Sequence, residues 1–141
     1  TCSLPRRPTS PPMTEVETAP HGPRRTGRDV ALVLISVGLL LFARHHDGPG
    51  AAFLREHGAN VSFSFGAFYL LRLAHVPPSG HAWITALVAL ACVWLQELLQ
   101  ALGIYPGTFD AMDIVYDACG VGAAWLVHVF TARVGAPSVK R

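Results

Sequence analysis

Residues 82–102 read AWITALVALACVWLQELLQAL, and the single charge in that stretch is Glu97. At 1.5 Å per residue this is a helix about 30 Å long, the thickness of the hydrocarbon core of a bilayer. A run of that length and polarity predicts a membrane-spanning helix and decides the fold. Upstream, Pro77-Pro78-Ser79-Gly80 forces a turn. Downstream, GIYPGTF (103–109) connects to a second long apolar segment, 111–132, with small residues at Gly120, Gly122, Ala123 and Ala124 that would let a neighbouring helix approach closely.

Working back toward the start, residues 60–76 (NVSFSFGAFYLLRLAHV) are apolar but carry two serines, a glycine and Arg72, which suits an interfacial helix or one with a polar face packed among others. Residues 30–43 (VALVLISVGLLLFA) are uncharged and flanked by Arg28 and Arg44. They fall short of the roughly 20 residues of a span, and snorkelling arginines extend them. A signal peptide is the rival reading, but Leu41-Phe42-Ala43 is a poor small-residue cleavage site. The sum is an all-α protein, a four-helix transmembrane bundle over residues 29–133.

The flanks differ in composition. Residues 1–28 hold five of the 72 hydrophobic residues and six of the 11 prolines, which predicts a disordered cytoplasmic tail, with Met13 a candidate start inside it. Residues 134–141 form a short basic tail. The chain is 51% hydrophobic and 14% charged, against roughly a quarter charged in a soluble domain. That excludes a soluble disordered protein and a disulfide scaffold. The basic residues are not interleaved with aromatics, so no nucleic-acid partner is expected. Ten arginines against one lysine, with more valine than isoleucine, suit a GC-rich bacterial genome. If the first segment runs outward, Arg6, Arg7, Arg24, Arg25, Arg28, Arg72, Arg133, Lys140 and Arg141 fall inside, with Arg44 and Arg55 outside. The positive-inside rule then places both termini in the cytoplasm of a bacterium, with the chain in its cytoplasmic membrane.

Between Leu73 and Ala132 there is no Lys or Arg, yet this stretch contains Glu97, Asp110, Asp113 and Asp117. Asp110, Asp113, Asp117 and Gly120 recur at helical spacing on one face, as do Glu97 and Gln100 on theirs. Counted from the loop, Glu97 lies about 8 Å and Asp117 about 10 Å into the bundle, at similar depth. A carboxylate at the bilayer centre costs about 2.5–3.5 kcal/mol even on the lenient insertion scale. Without a basic neighbour that cost must be relieved by a shared proton, a bound cation, water or a cationic partner. The plainer reading gives Asp110 and Asp113 to capping the helix N-terminus, which does not reach Asp117. No other cofactor is called for, though a divalent cation fits the acidic set.

The histidines His45, His46 and His57 with Asp47 lack metal-ligand order and read as a solvated loop. His128 lies three turns beyond Asp117 on the same face and reads as a packed histidine rather than a proton relay. Cys2, Cys92 and Cys119 form no paired motif. No Walker loop, HExxH or GxSxG site is present, and Ser62, Ser64 and Ser79 have no adjacent base that the sequence can place.

The run Glu97-Leu-Leu-Gln100, then Gly107-Thr-Phe-Asp110 and Asp113-Ile-Val-Tyr-Asp117-Ala-Cys-Gly120, resembles the VanZ-like family of small bacterial membrane proteins, over residues 87–129 and more loosely over 53–73. The resemblance implies an integral protein of the cell envelope. The family's founding example is associated with resistance to the glycopeptide antibiotic teicoplanin. Two departures make this site more acidic than the family pattern: the loop lacks the usual basic residue, and Asp117 stands where Asn is common. The expected site is Glu97, Gln100, Asp110, Asp113 and Asp117, facing outward and binding a proton, a cation or a cationic envelope component. A small proton- or cation-coupled carrier subunit, working as a homo-oligomer, is the alternative. An intramembrane enzyme with Glu97 and Asp117 as acid and base lacks a nucleophile.

Overall fold

The computed structural model describes residues 23–78, 80–107 and 109–134, and among these all regular structure is helical. Helix α1 spans Pro23–His45. A short α2, Ala51–Phe53, runs through a π-helical turn, Leu54–Gly58, into α3, Ala59–Leu73. Helix α4 spans Ala82–Ala101 and α5 Ala111–Val134. Three helices are long and apolar enough to cross a membrane: Thr26–His45, Ala82–Ala101 and Ala111–Arg133, with mean hydropathies of 1.8, 1.8 and 1.4. Helix α3 has 15 residues, short of the length that marks a span. Among the described residues the fold is thus all-helical with three candidate spans.

Helix α1 begins at Pro23, so the end of the expected tail, residues 23–28, is helical. Proline suits the first helical turn because its missing N–H would have no intrahelical partner there. The rest of the expected tail, 1–22, and nearly all of the C-terminal one, 135–141, lie outside the described residues.

The ends of the helices are cut by local chemistry. After α4, Gly103 turns left-handed at φ 69. Its N–H donates to the Gln100 carbonyl at 2.9 Å and the Ile104 N–H to the Leu99 carbonyl at 2.9 Å. This is the Schellman pattern, which satisfies orphan carbonyls and turns the chain back. Before α5, the Asp110 carboxylate accepts from the Met112 N–H at 2.9 Å, an N-cap.

Helix α3 is the centre of the bundle and touches α1, α4 and α5. Phe68 and Tyr69 of α3 pack with Ala89 of α4 and with Val121 and Ala124 of α5 as the buried core. The Tyr69 hydroxyl donates to the Ala124 carbonyl at 3.1 Å. Small residues permit this closeness: a Cβ on Gly120 would collide with the Val61 carbonyl oxygen and sit 3.0 Å from Ser64 Cβ. The expectation that small residues on α5 admit a neighbour holds at Gly120. It does not hold at Gly122, where a Cβ would meet nothing within 4 Å.

The distribution of polarity is inverted relative to a soluble domain. Leu34, Ile35, Leu41 and Phe42 of α1, Leu87, Leu95 and Leu98 of α4, and Leu126 and Phe130 of α5 face outward, while Asp29, Ser36, Ser64, Thr85, Glu97 and Asp117 are buried. A soluble monomer rarely exposes apolar area on that scale. Polar side chains turned inward and apolar ones outward suit hydrocarbon as the surrounding solvent.

Candidate functional site

Glu97 comes from the last turns of α4, and Asp113 and Asp117 from the first turns of α5. The Trp94 indole N–H donates to the Ile114 carbonyl at 3.3 Å, which fixes the register of the two antiparallel helices. Asp113 and Asp117 are the charges bearing on Glu97, Asp113 the more strongly. Glu97 and Asp117 are 5% and 3% exposed, so both carboxyl groups are withdrawn from the surroundings.

The two buried acids are treated differently. Asp117 accepts a hydrogen bond from the Ser64 hydroxyl of α3. Glu97 Oε2 is buried with no hydrogen-bond partner among the described residues. A buried polar atom without a partner is uncommon and calls for an explanation such as a ligand or a proton. Asp113 is approached by the chain before α3: His57 Nδ1 lies 3.9 Å from its Oδ1, beyond hydrogen-bond range. The His57 ring stacks on Tyr116 with centroids 4.2 Å apart. His57 Nδ1 is the second buried polar atom with no partner among the described residues.

The expected site residues therefore divide. Glu97, Asp113 and Asp117 lie at the same end of the α4–α5 pair, with the two aspartates near enough to bear on Glu97 electrostatically. Asp110 is exposed and caps α5, the plainer of its two readings. Gln100 lies over Gly107, where a Cβ would stand 2.8 Å from its Oε1, so it packs on the connecting loop. Among the described residues no group of three or more His, Cys, Asp or Glu side chains is arranged to hold a metal ion.

Two members of the site were not expected. The sequence places His57 in a loop, whereas the π turn carries it against Asp113 and Tyr116. Such turns recur at functional sites. Ser64, for which the sequence offers no adjacent base, donates to Asp117. The serines of an otherwise apolar helix were the available signal.

A second buried polar cluster occupies the opposite end of the bundle. Asp29 pairs with Arg28 at 2.8 Å and with Arg72 at 3.4 Å. Arg28 also reaches Thr131 Oγ1 at 2.6 Å and lies 3.2 Å from His128 Nδ1. Here each charge has an opposite neighbour. His128 belongs to this cluster and packs near Phe68.

Comparison with protein-family models, curated proteins and solved structures found no match.

Proposed function

We propose that the protein is a VanZ-like multi-pass membrane protein of the bacterial cell envelope, whose acidic site faces outward and binds a cationic group. In this reading α3 with its preceding turn is the fourth crossing, both termini are cytoplasmic, and the role is binding or accessory rather than catalytic. A glycopeptide-resistance setting rests on the family resemblance alone. One observation carries the reading: Glu97 is buried with an unpartnered oxygen, the charges bearing on it are both acidic, and the sequence from 73 to 132 supplies no Lys or Arg. A bound cation removes both the repulsion and the unmet acceptor, whereas a proton on one acid removes the repulsion alone.

The test is thermal unfolding of the purified protein in detergent with ethylammonium or Ca2+ as probe. A ligand at 100 times its Kd stabilises the folded state by about 2.7 kcal/mol. Wild type is expected to shift and Glu97→Gln to stay in place. Equal shifts in the two would defeat the reading.

A carrier function has its own support. Polar groups continue along α3 from Asp117 and Ser64 to Tyr69 and then Arg72, which meets Asp29. They place polar groups at intervals through the bundle, each bonded to its own partner rather than to the next, so a proton path along them would need bridging water. That reading predicts proton flux in proteoliposomes that Asp117→Asn alters, with oligomers supplying the remainder of the pathway. Absence of flux under an imposed gradient would remove it.

A further inference from the structure

His57 stands at a junction of three helices. Its π turn, Leu54–Gly58, leads directly into α3. The turn rests on α1 at Gly58, where an added Cβ would stand 3.7 Å from the Ala43 methyl. Against α5, the His57 ring stacks on Tyr116 with centroids 4.2 Å apart, and it lies edge to face with Phe53 at 5.1 Å. Its Nδ1 is buried with no hydrogen-bond partner among the described residues and lies 3.9 Å from Asp113 Oδ1. The two side chains are 17% and 16% exposed, so water screens the pair weakly. The gap exceeds a charged N–H···O bond by about 1 Å. A neutral imidazole has one N–H to place, whereas an imidazolium has a donor on each nitrogen and a full charge.

We propose that His57 and Asp113 form a proton-operated latch between the π turn and α5. Protonation of His57 closes the gap to a charge-assisted hydrogen bond, and loss of the proton releases it. The surroundings leave this pairing without a competitor. On α5, Asp113 and Tyr116 face the ring, while Asp117 is held by Ser64 and Asp110 caps the helix. Within the turn, Arg55 pairs with Asp47 at 3.6 Å and Glu56 is exposed. Helix α1 ends in the exposed Arg44 and His45, and His45 Nδ1 is bonded to the Leu41 carbonyl. Helix α2 carries no charge, and the charge of α3, Arg72, is at its far end. The movement has consequences beyond the pair. His57 and Tyr116 line a groove of about 290 Å3 between α1, the turn, α3 and α5, so the latch sets the position of one groove wall. In the orientation proposed above the pair responds to the outer pH, over the range of about 5 to 8 in which histidine changes charge. The latch is independent of what the acids bind, and its test uses no ligand.

Amide hydrogen exchange of the full chain in detergent micelles, followed over residues 54–58 and corrected for the intrinsic pH dependence of exchange, tests the latch. In wild type the turn is expected to be about tenfold better protected at about pH 5 than at about pH 8, the change in open population that one charged hydrogen bond produces. His57→Gln and Asp113→Asn are each expected to give equal protection at the two values. Wild-type exchange along α4, 82–101, shows that a variant folds. If His57→Gln does not fold, Asp113→Asn, which preserves side-chain size, decides alone. Equal protection of the wild-type turn at both values would overturn the latch. A pH difference that survives either substitution would overturn it as well, because another titrating group would then be responsible.

Discussion

Replacing Gly120 by alanine tests a close backbone contact between α3 and α5 and, with it, the geometry of the acidic site. The added methyl would strike the Val61 carbonyl oxygen and approach Ser64 Cβ to 3.0 Å and the Phe65 nitrogen to 3.2 Å. Two of those three atoms are backbone, so no side-chain rotation relieves the clash. Helix α5 would have to retreat from α3 by on the order of 1 Å to regain ordinary van der Waals spacing. Overpacking of this kind costs about 1–3 kcal/mol. The same shift would pull Asp117 from Ser64, because both lie within one turn of the contact. Gly122, on the same helix, is the control: with open space around it, Gly122→Ala should be neutral or stabilise by up to about 1 kcal/mol through helix propensity. Equilibrium unfolding in mixed detergent micelles measures both. If Gly120→Ala is as stable as Gly122→Ala, the α3–α5 contact is not as close as described and the seating of Asp117 falls with it.

Four further outcomes are expected. Ser64→Ala removes the donor to Asp117 and should destabilise by about 1.5–3 kcal/mol, the range for a hydrogen bond to a charged group; adding Asp117→Asn should change that cost, and strict additivity in the double-mutant cycle would deny the coupling. Asp29→Ala leaves Arg72 buried and unpaired and should cost about 3 kcal/mol, clearly more than Arg28→Ala, because Arg28 is a quarter exposed and keeps access to solvent; the same unfolding assay ranks the two. Cys92 and Cys119 are exposed on the bundle surface and should resist a membrane-impermeant maleimide in intact membranes yet react after denaturation, whereas reaction of both in the native membrane would deny that α4 and α5 span it. Gln100→Lys, three residues beyond Glu97, should act as a built-in cation, raising stability without ligand and weakening ethylammonium at least tenfold; unchanged affinity would separate Glu97 from the binding site.

The candidate spans are legible because an apolar run of 20 residues has few alternatives, and α4 and α5 begin where composition places them. Helix α1 was harder to delimit, since Pro23, Arg24 and Arg25 look like tail, and only the burial of Asp29 reveals that the helix already needs a partner there. That partner, Arg72, is 43 residues away in sequence, a distance over which no periodicity carries information. Glu97 was legible as the lone charge in its span. The separate fates of Asp110 and Asp113 were not, because three residues on one face suit capping and site equally until the first helical residue is known. His57 escaped because a π turn breaks the 3.6-residue spacing on which face assignments rest.

The two polar clusters make opposite use of the same bundle. At one end Asp29 meets two arginines and a histidine neighbourhood, so charge is balanced internally and the cluster serves to hold α1, α3 and α5 together. At the other, Glu97 and Asp117 are equally buried, but the positive neighbour on offer is His57, which is charged only when protonated and lies 3.9 Å from Asp113. Stability alone would favour the first solution at both ends, and the chain evidently can build it. Buried acids without a fixed opposite charge, with Glu97 Oε2 unmet, destabilise the empty fold. A proton relieves part of that cost, and in the proposed reading a bound cation relieves the rest, which is why the unmatched end is proposed as the binding site.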